Sequence, residues 1–359
     1  MNEISVNSVD DGDSVGWSAI DASLASIYGD QKPQHMGTII GYRLGGPDPL
    51  DGISAYYRAD PVPHWHYVTY GFSELYEKEQ EYKEVSGYGF ELTFRLRAQE
   101  GDTEAPKWVF SLLQNLARYV FRTGNVFRSG EWMTANGPIA LDTDTRICSM
   151  AMTIDPELPA IDTPNGRLEF IQVVGLTQEE EHAAKRWSPQ NLLDTFLPRM
   201  PLWITDLDRN PLIDDPDLAA QVKAGTERDG SSCGVLYTDV LSVEQSKRLL
   251  RAPLTEVTLG ARQVDELRAL LPLRIPFGRS FTLAARDWQL QFEPGDACTV
   301  TMHDGTASIT MTPTCAQDFA RTLCAQAGSY KLAELPIVSW IVQKTSICDA
   351  DGNIVTTIG

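Results

Sequence analysis

The chain has 359 residues, 42% hydrophobic and 22% charged, the composition of a globular protein long enough for two domains. Its formal net charge is −19, unevenly spread: from Ser246 onward 11 Lys+Arg balance 11 Asp+Glu, so residues 1–245, with 19 basic and 38 acidic, carry all of it. That field disfavours nucleic acid as a ligand, because phosphates are repelled, and it suits a basic protein partner or plain solubility. No stretch approaches the roughly 18 apolar residues of a membrane span, so no membrane contact is expected. The start, "MNEISVNSVDDGDSVG", lacks the basic and apolar regions of a secretory signal, and the expected compartment is cytoplasmic.

Taken in chain order, residues 1–15 offer almost nothing to bury and are expected to be flexible. "TIIGYRLGGPDPLDGISAYYR" reads as a strand, a turn punctuated by Gly45, Gly46, Pro47 and Pro49, and a second strand. "HWHYVTYGF" and "YGFELTFRLRA" are strands rich in aromatic and β-branched residues, joined by a charged connector, "SELYEKEQEYKEVSG". In "EAPKWVFSLLQNLARYVFRTGN" the apolar residues Val109, Leu112, Leu113, Leu116, Val120 and Phe121 fall at helical spacing, and Gly124 ends the helix. "TQEEEHAAKRW" opens with Thr177 and Glu180 in the spacing of a capping box, and Pro189 is well placed to start a following helix. "VEQSKRLL" reads as a short linking helix. The strands "LTEVTL", "LPLRIPF", "SFTLAA", "WQLQFE", "CTVTMH" and "ASITMT" follow, then a helix, "CAQDFARTLCAQ", before "LPIVSWIVQKTSI". The fold class is α+β, in two domains that each pair a mixed or antiparallel sheet with packed helices. The expected domains are 16–238 and 253–359, with 239–252 as a linker.

Few residues point to chemistry. His64 and His66, two apart on a strand, point to one face, but a metal site needs at least a third ligand and none is near in sequence. The pair is read as structural, so neither metal nor cofactor is expected. "DLDRNPLIDDPD" places Asp206, Asp208, Asn210, Asp214 and Asp217 at calcium-loop offsets. Pro211 stands where that loop wants Gly and Asp217 where it wants Glu, so a hairpin turn between two strands is the expectation. There is no nucleophile elbow, no phosphate-binding glycine loop and no C-x-x-C pair. The six cysteines are expected to be free and mostly buried.

The ordered words "YRLGGPDPLDGISAYYR", "PHWHYVTYGFSELY", "GYGFELTFRLR", "LLQNLARYVF", "FRSGEW", "FIQVVGLTQEEEHAAKRW" and "PLWITDLDRNPLI" resemble the suppressor of fused family over roughly Ser18 to Gly234. The later words "LTEVTL", "GRSFT" and "ITMTPTCAQDFARTL" resemble it more loosely. The resemblance implies a non-enzymatic binding protein. Animal members restrain Gli-type transcription factors by closing two domains on an extended peptide that adds a strand. Bacterial members are thought to be immunity proteins that neutralise toxins. Carried over position by position, the resemblance implies a cleft bordered by Tyr76, by Glu84 as its acidic residue, by the strand holding Val257 and Leu259, and by Ser280, where animal members carry His. The connector from Glu77 to Ser86 is shorter than in animals, and the long polar insertion of the animal proteins is missing. The compact form is therefore similar to the bacterial branch. The leading expectation is an immunity or antitoxin protein whose partner is basic or presents an extended strand. A regulator that sequesters a transcription-factor peptide ranks second, and a hydrolase using surface carboxylates third.

Overall fold

The computed structural model of the chain describes residues 14–82, 84–141, 143–248, 251–348 and 354–359. The expectation of flexibility for residues 1–15 falls almost wholly outside them. Two compact units emerge. Unit 1 runs to Ala184 and takes in Pro189–Ala219; unit 2 is Lys185–Ser188 with Ala220–Gly359.

Unit 1 begins with helix α1, Val15–Tyr28, and strands β1, Gln34–Gly37, β2, Gly52–Arg58, β3, His64–Tyr70, and β4, Val85–Arg97. Helix α2, Lys107–Thr123, follows, ended by Gly124 in the left-handed conformation as its spacing predicted. Strands β5, Trp132–Thr134, β6, Ile147–Ile154, β7, Ile161–Thr163, and β8, Gly166–Thr177, complete one eight-stranded sheet in the order β1-β2-β3-β4-β8-β6-β5, with β7 on β8. The β4–β8 pair is parallel and the others are antiparallel, so the sheet is mixed. β3 is buried at all seven positions because both faces are covered. Trp65 and Tyr67 join the core with Val109, Leu113 and Val120 of α2. Val68 and Tyr70 join a second core with Ile20 and Leu24 of α1. A strand covered on both faces shows no alternation of apolar and polar residues.

Helices α3, Gln178–Arg186, α4, Pro189–Phe196, and α5, Pro216–Asp229, follow, and the division between units runs through α3 and α5. The capping box forms as read: Thr177 N donates to Glu180 Oε2 at 2.9 Å and Glu180 N donates to Thr177 Oγ1 at 3.4 Å. Glu180 also accepts from Arg209 and from Leu212 N, which ties the later loop to this helix end. Thr177→Ala should therefore cost about 1 kcal/mol. A fall in the urea midpoint at unchanged m-value would show it; an unshifted midpoint would mean the cap contributes nothing.

Unit 2 contains β9, Val235–Tyr237, β10, Leu241–Arg248, β11, Arg251–Gly260, α6, Ala261–Leu270, β12, Phe281–Ala284, β13, Gln289–Pro294, β14, Thr299–His303, and β15, Thr306–Met311. Helix α7, Pro313–Thr322, then precedes β16, Gly328–Tyr330, β17, Val338–Gln343, β18, Thr345–Cys348, and β19, Ile354–Ile358. One sheet runs β14-β15-β13-β12-β9, another β10-β11-β17-β16, and β18 and β19 form a two-stranded ribbon. The core joins Val257 and Leu259 to Leu267 of α6, Phe319 of α7, Phe292 and Trp340. Trp340 stacks on Phe292 and meets Phe319 edge-on.

Several sequence expectations are corrected here. β9 pairs with β12, so the second unit starts well before 239, and the supposed linker 239–252 lies mostly in the β10–β11 hairpin. The described part of "VEQSKRLL", Val243 to Arg248, belongs to strand β10 and is not a helix. Only Val243 among its described side chains is buried, so it has no readable period and pairing with β11 decides. "LPLRIPF" forms two 3-10 turns, because Pro272 and Pro276 cannot donate to a ladder. "TIIGYR" is not a strand: after the short β1 it is irregular to Gly41 and then enters a 3-10 turn at Tyr42–Leu44. The segment 206–217 is not a hairpin: Asp206 pairs with Arg97, Asp208 accepts from Gln99, and Asp215 accepts from the first amides of α5. Those acids serve an ion pair and a helix cap. The described cysteines are free as expected, but Cys148, Cys233, Cys298 and Cys324 are half-buried and only Cys315 is fully buried.

Candidate protein-binding surface

The H-W-H strand resolves into structure. His66 is sealed, with Nδ1 accepting from Tyr28 Oη at 2.7 Å and Nε2 facing Asp155 Oδ2 at 3.3 Å, off-line for a hydrogen bond. Burial, helped by the Arg95 charge, pushes its pKa down to about 4. His64 donates from Nδ1 to Val62 O at 2.7 Å, and burial lowers its pKa too. Among the described residues neither histidine joins a group of three metal-ligating side chains.

The connector after β3 is shaped by two carboxylates. Glu91 of β4, fully buried, accepts from Thr69 Oγ1 at 2.7 Å, Gly71 N at 3.0 Å, Ser73 N at 2.9 Å and Ser73 Oγ at 2.6 Å. Glu74 accepts from Glu79 N, Gln80 N, Gly87 N and Lys78 Nζ, so both ends of the connector are tied to one side chain. Gly87 is needed there: its φ is +55°, and an added Cβ would stand 2.5 Å from Phe72 O. Asn165 Nδ2 donates to the carbonyls of Glu74 and Tyr76, and Gly16 N donates to Leu75 O. Leu75 is thereby plugged into the α1 core while Tyr76 stays 45% exposed beside it. Tyr82, 80% exposed, and Val85 stand on the same pinned connector. Glu84 is exposed as well, its carbonyl accepting from Arg167 N.

The candidates in unit 2 stand differently. Val257 and Leu259 are fully buried in its core and cannot touch a partner by their side chains. From Thr255 to Leu259, β11 is paired with β10 on one edge and β17 on the other, so this stretch offers no free backbone edge for an added strand. The edges of that sheet are β10 and β16. The expectation of backbone pairing along the Val257–Leu259 strand is corrected accordingly, because ladder groups already bonded on both sides have nothing left to offer. Ser280 is exposed and its carbonyl accepts from Arg274 Nε at 2.7 Å.

Sequence reasoning missed a second exposed feature. Ile39 is 99% exposed, and Ile40, Tyr42 and Leu44 join it in the segment after β1, whose own Met36 is exposed as well. The signal was present, since an apolar run interrupted by Gly41 and by Gly45-Gly46-Pro47 is poorly suited to a strand. The carboxylates with the most strongly displaced titration, Asp155 and Glu91, are sealed from solvent and each accepts from several donors, which is structural work.

The chain thus forms two mixed-sheet α+β units, and unit 1 holds exposed aromatic side chains out on a connector tied down at many points. The family model described as Suppressor of fused protein (SUFU) matches residues 46–210. The human and mouse proteins named Suppressor of fused homolog are each 39% identical to the chain over 235 residues, 60% of this chain and 48% of theirs. The chain spans about half the length of these curated relatives. The crystal structure of Drosophila Suppressor of Fused superposes with a TM-score of 0.80, covering 94% of this chain and 99% of that one at 22% identity, which shows a common fold. A chain of the Sufu-Fu complex crystal structure matches at 31% identity and a TM-score of 0.55, covering 58% of this chain and 98% of that one. The chain belongs to the suppressor of fused family. The immunity or antitoxin reading finds no support in these relatives, and neither does the expectation of a bacterial member; the regulator reading fits them better. No helix among the described residues is long and apolar enough to cross a membrane.

Proposed function

We propose that the chain is a protein-binding regulator without chemistry of its own, which holds a segment of a regulatory protein on unit 1. The observation that carries this is the match to a chain solved in a complex named Sufu-Fu. Nearly all of that chain aligns with 58% of this one. The contact surface proposed is the connector around Tyr76, with Tyr82, Glu84 and Val85. Its aromatic side chains are exposed while its backbone is pinned, so a partner meets a preorganised surface and little ordering entropy opposes binding. The acidic field of residues 1–245 steers a basic segment toward it.

The test is calorimetric titration of the chain with the Fu component of that complex, at low and high salt. Binding should weaken with salt, since screening acts beyond about 8 Å at physiological ionic strength. Tyr76→Ala should weaken it by about 2 kcal/mol, roughly thirtyfold. Absence of binding would sink the Fu-type partner. Unchanged affinity in Tyr76→Ala would move the contact off the connector, and salt-independent affinity would remove the steering argument.

A further inference from the structure

Cys298 immediately precedes β14, Cys315 lies in the first turn of α7, and Glu334 lies in the loop between β16 and β17. Three segments distant in sequence thus bring two thiols and a carboxylate together. One ligand atom from each lies within 4.8 Å of the other two, and Cys298 Sγ is 3.9 Å from Glu334 Oε2. Around a tetrahedral zinc-type ion, with bonds of about 2.0–2.3 Å, neighbouring ligand atoms stand roughly 3.5–3.8 Å apart. Small rotations of the side chains close that gap. Cys315 is fully buried and Cys298 half-buried, while Glu334 opens the cluster to solvent, so an ion has an entry path.

The surroundings fix the carboxylate as a second coordination layer does. Thr312, the N-cap of α7, has one hydroxyl proton and donates it to Glu334 Oε2 at 2.8 Å, while Thr312 Oγ1 itself accepts from Cys315 N at 3.0 Å. One hydroxyl therefore orients Glu334 and sets the helix turn that carries Cys315. The neighbouring backbone is tied as well, Ala333 N donating to Asp318 Oδ2 one turn further along α7. Among the described residues Glu334 forms no ion pair, so three groups able to become anions converge without a cation. A disulfide between the two cysteines would leave the held carboxylate without a role.

We propose that Cys298, Cys315 and Glu334 form a binding site for a thiophilic divalent cation of the zinc class, with the fourth position open to water or an outside ligand. Thiolates select such ions over magnesium and calcium, and a carboxylate completes three protein ligands. The site lies within unit 2 and is independent of the proposed binding surface.

Cobalt(II) is the probe, titrated into the full chain, reduced and stripped with a chelator. One equivalent should bind per chain and raise a sulfur-to-cobalt charge-transfer band in the near ultraviolet, which zinc then bleaches. Cys298→Ser should reduce the band by about half and weaken binding at least tenfold. Thr312→Val, checked by far-UV circular dichroism for an intact fold, should weaken it roughly tenfold through the orientation of Glu334. His64→Ala should change nothing. No charge-transfer band at one equivalent overturns the proposal, as does cobalt binding that survives Cys298→Ser undiminished, which would place the ion on the acidic surface instead.

Discussion

Asp155→Ala is expected to cost about 3–5 kcal/mol of folding free energy, because it leaves the Arg95 guanidinium charged and buried without its main partner. Both side chains are fully buried. Arg95 Nη1 donates to Asp155 Oδ2 at 2.6 Å and to Gln172 Oε1; Nη2 donates to Asp155 Oδ1 at 3.1 Å and to Glu157 Oε2 at 3.0 Å. Asp155 also accepts from Thr93 Oγ1 and from the amides of Glu157 and Leu158. The network reaches further. Gln172, whose oxygen faces Arg95, donates its amide protons to the carbonyls of Leu202 and Trp203. Those two residues have φ of +52° and +49°, a conformation disfavoured for bulky side chains and held here by tertiary bonds. Urea denaturation of Asp155→Ala against wild type measures the loss. Arg95→Met combined with Asp155→Leu should recover part of it and not all, since the Thr93 hydroxyl and two backbone amides would still lack an acceptor. A loss below 1 kcal/mol in Asp155→Ala would mean that water reaches the site and the pair is not sealed.

The sequence made some of this legible. "FELTFRLR" alternates, and Phe90, Leu92, Phe94 and Leu96 do enter the α2 core. Alternation alone would send Glu91, Thr93 and Arg95 to solvent. They are buried because a second layer containing α1 covers that side of the sheet, and α1 was itself unread. Arg95 and Asp155 lie 60 residues apart, and no local pattern pairs them. The same reason hid Cys298, Cys315 and Glu334, whose spacing matches no ligand motif and whose meeting depends on how β14, α7 and the loop before β17 pack. The capping box and the glycine stop of α2 were legible because capping chemistry is local. Tyr76 was found through family words, yet its exposure and its anchoring by Asn165 are tertiary facts.

Glu91→Ala should cost about 3 kcal/mol or more, and it should loosen the connector that presents Tyr76. Gly71 N, Ser73 N, Ser73 Oγ and Thr69 Oγ1 all donate to that one carboxylate. The two hydroxyls can turn elsewhere, but the two amides are fixed by the chain and each orphaned donor costs about 1–3 kcal/mol. Hydrogen exchange at Gly71 and Ser73 should accelerate with the loss of stability, and unchanged exchange there would show that the turn holds without Glu91. The same residue gives a pH signature. Burial pushes the Glu91 pKa up to about 7, against the lowering by its donors. Folded Glu91 thus keeps a proton that the unfolded chain releases near 4.5, and its contribution to stability falls as pH rises from about 4.5 to about 7. His66 has the opposite sign: its folded pKa is near 4 against 6.5 unfolded, so its contribution is lost as pH falls from 6.5 toward 4. Over pH 4.5–6.5 these two offset each other, while His64 and His35, whose pKa values burial also lowers, act on the side of His66, so wild-type stability should rise only gently with pH there. Glu91→Gln removes one side of the balance. Although less stable throughout, it should gain about 2–3 kcal/mol between pH 4.5 and 6.5, the size expected from a shift of roughly two pKa units. His66→Gln should slope the other way. Urea midpoints measured across this range decide the matter, and a wild-type profile that already rises as steeply as that of Glu91→Gln would mean that the Glu91 carboxyl is ionised at pH 4.5 in the folded chain.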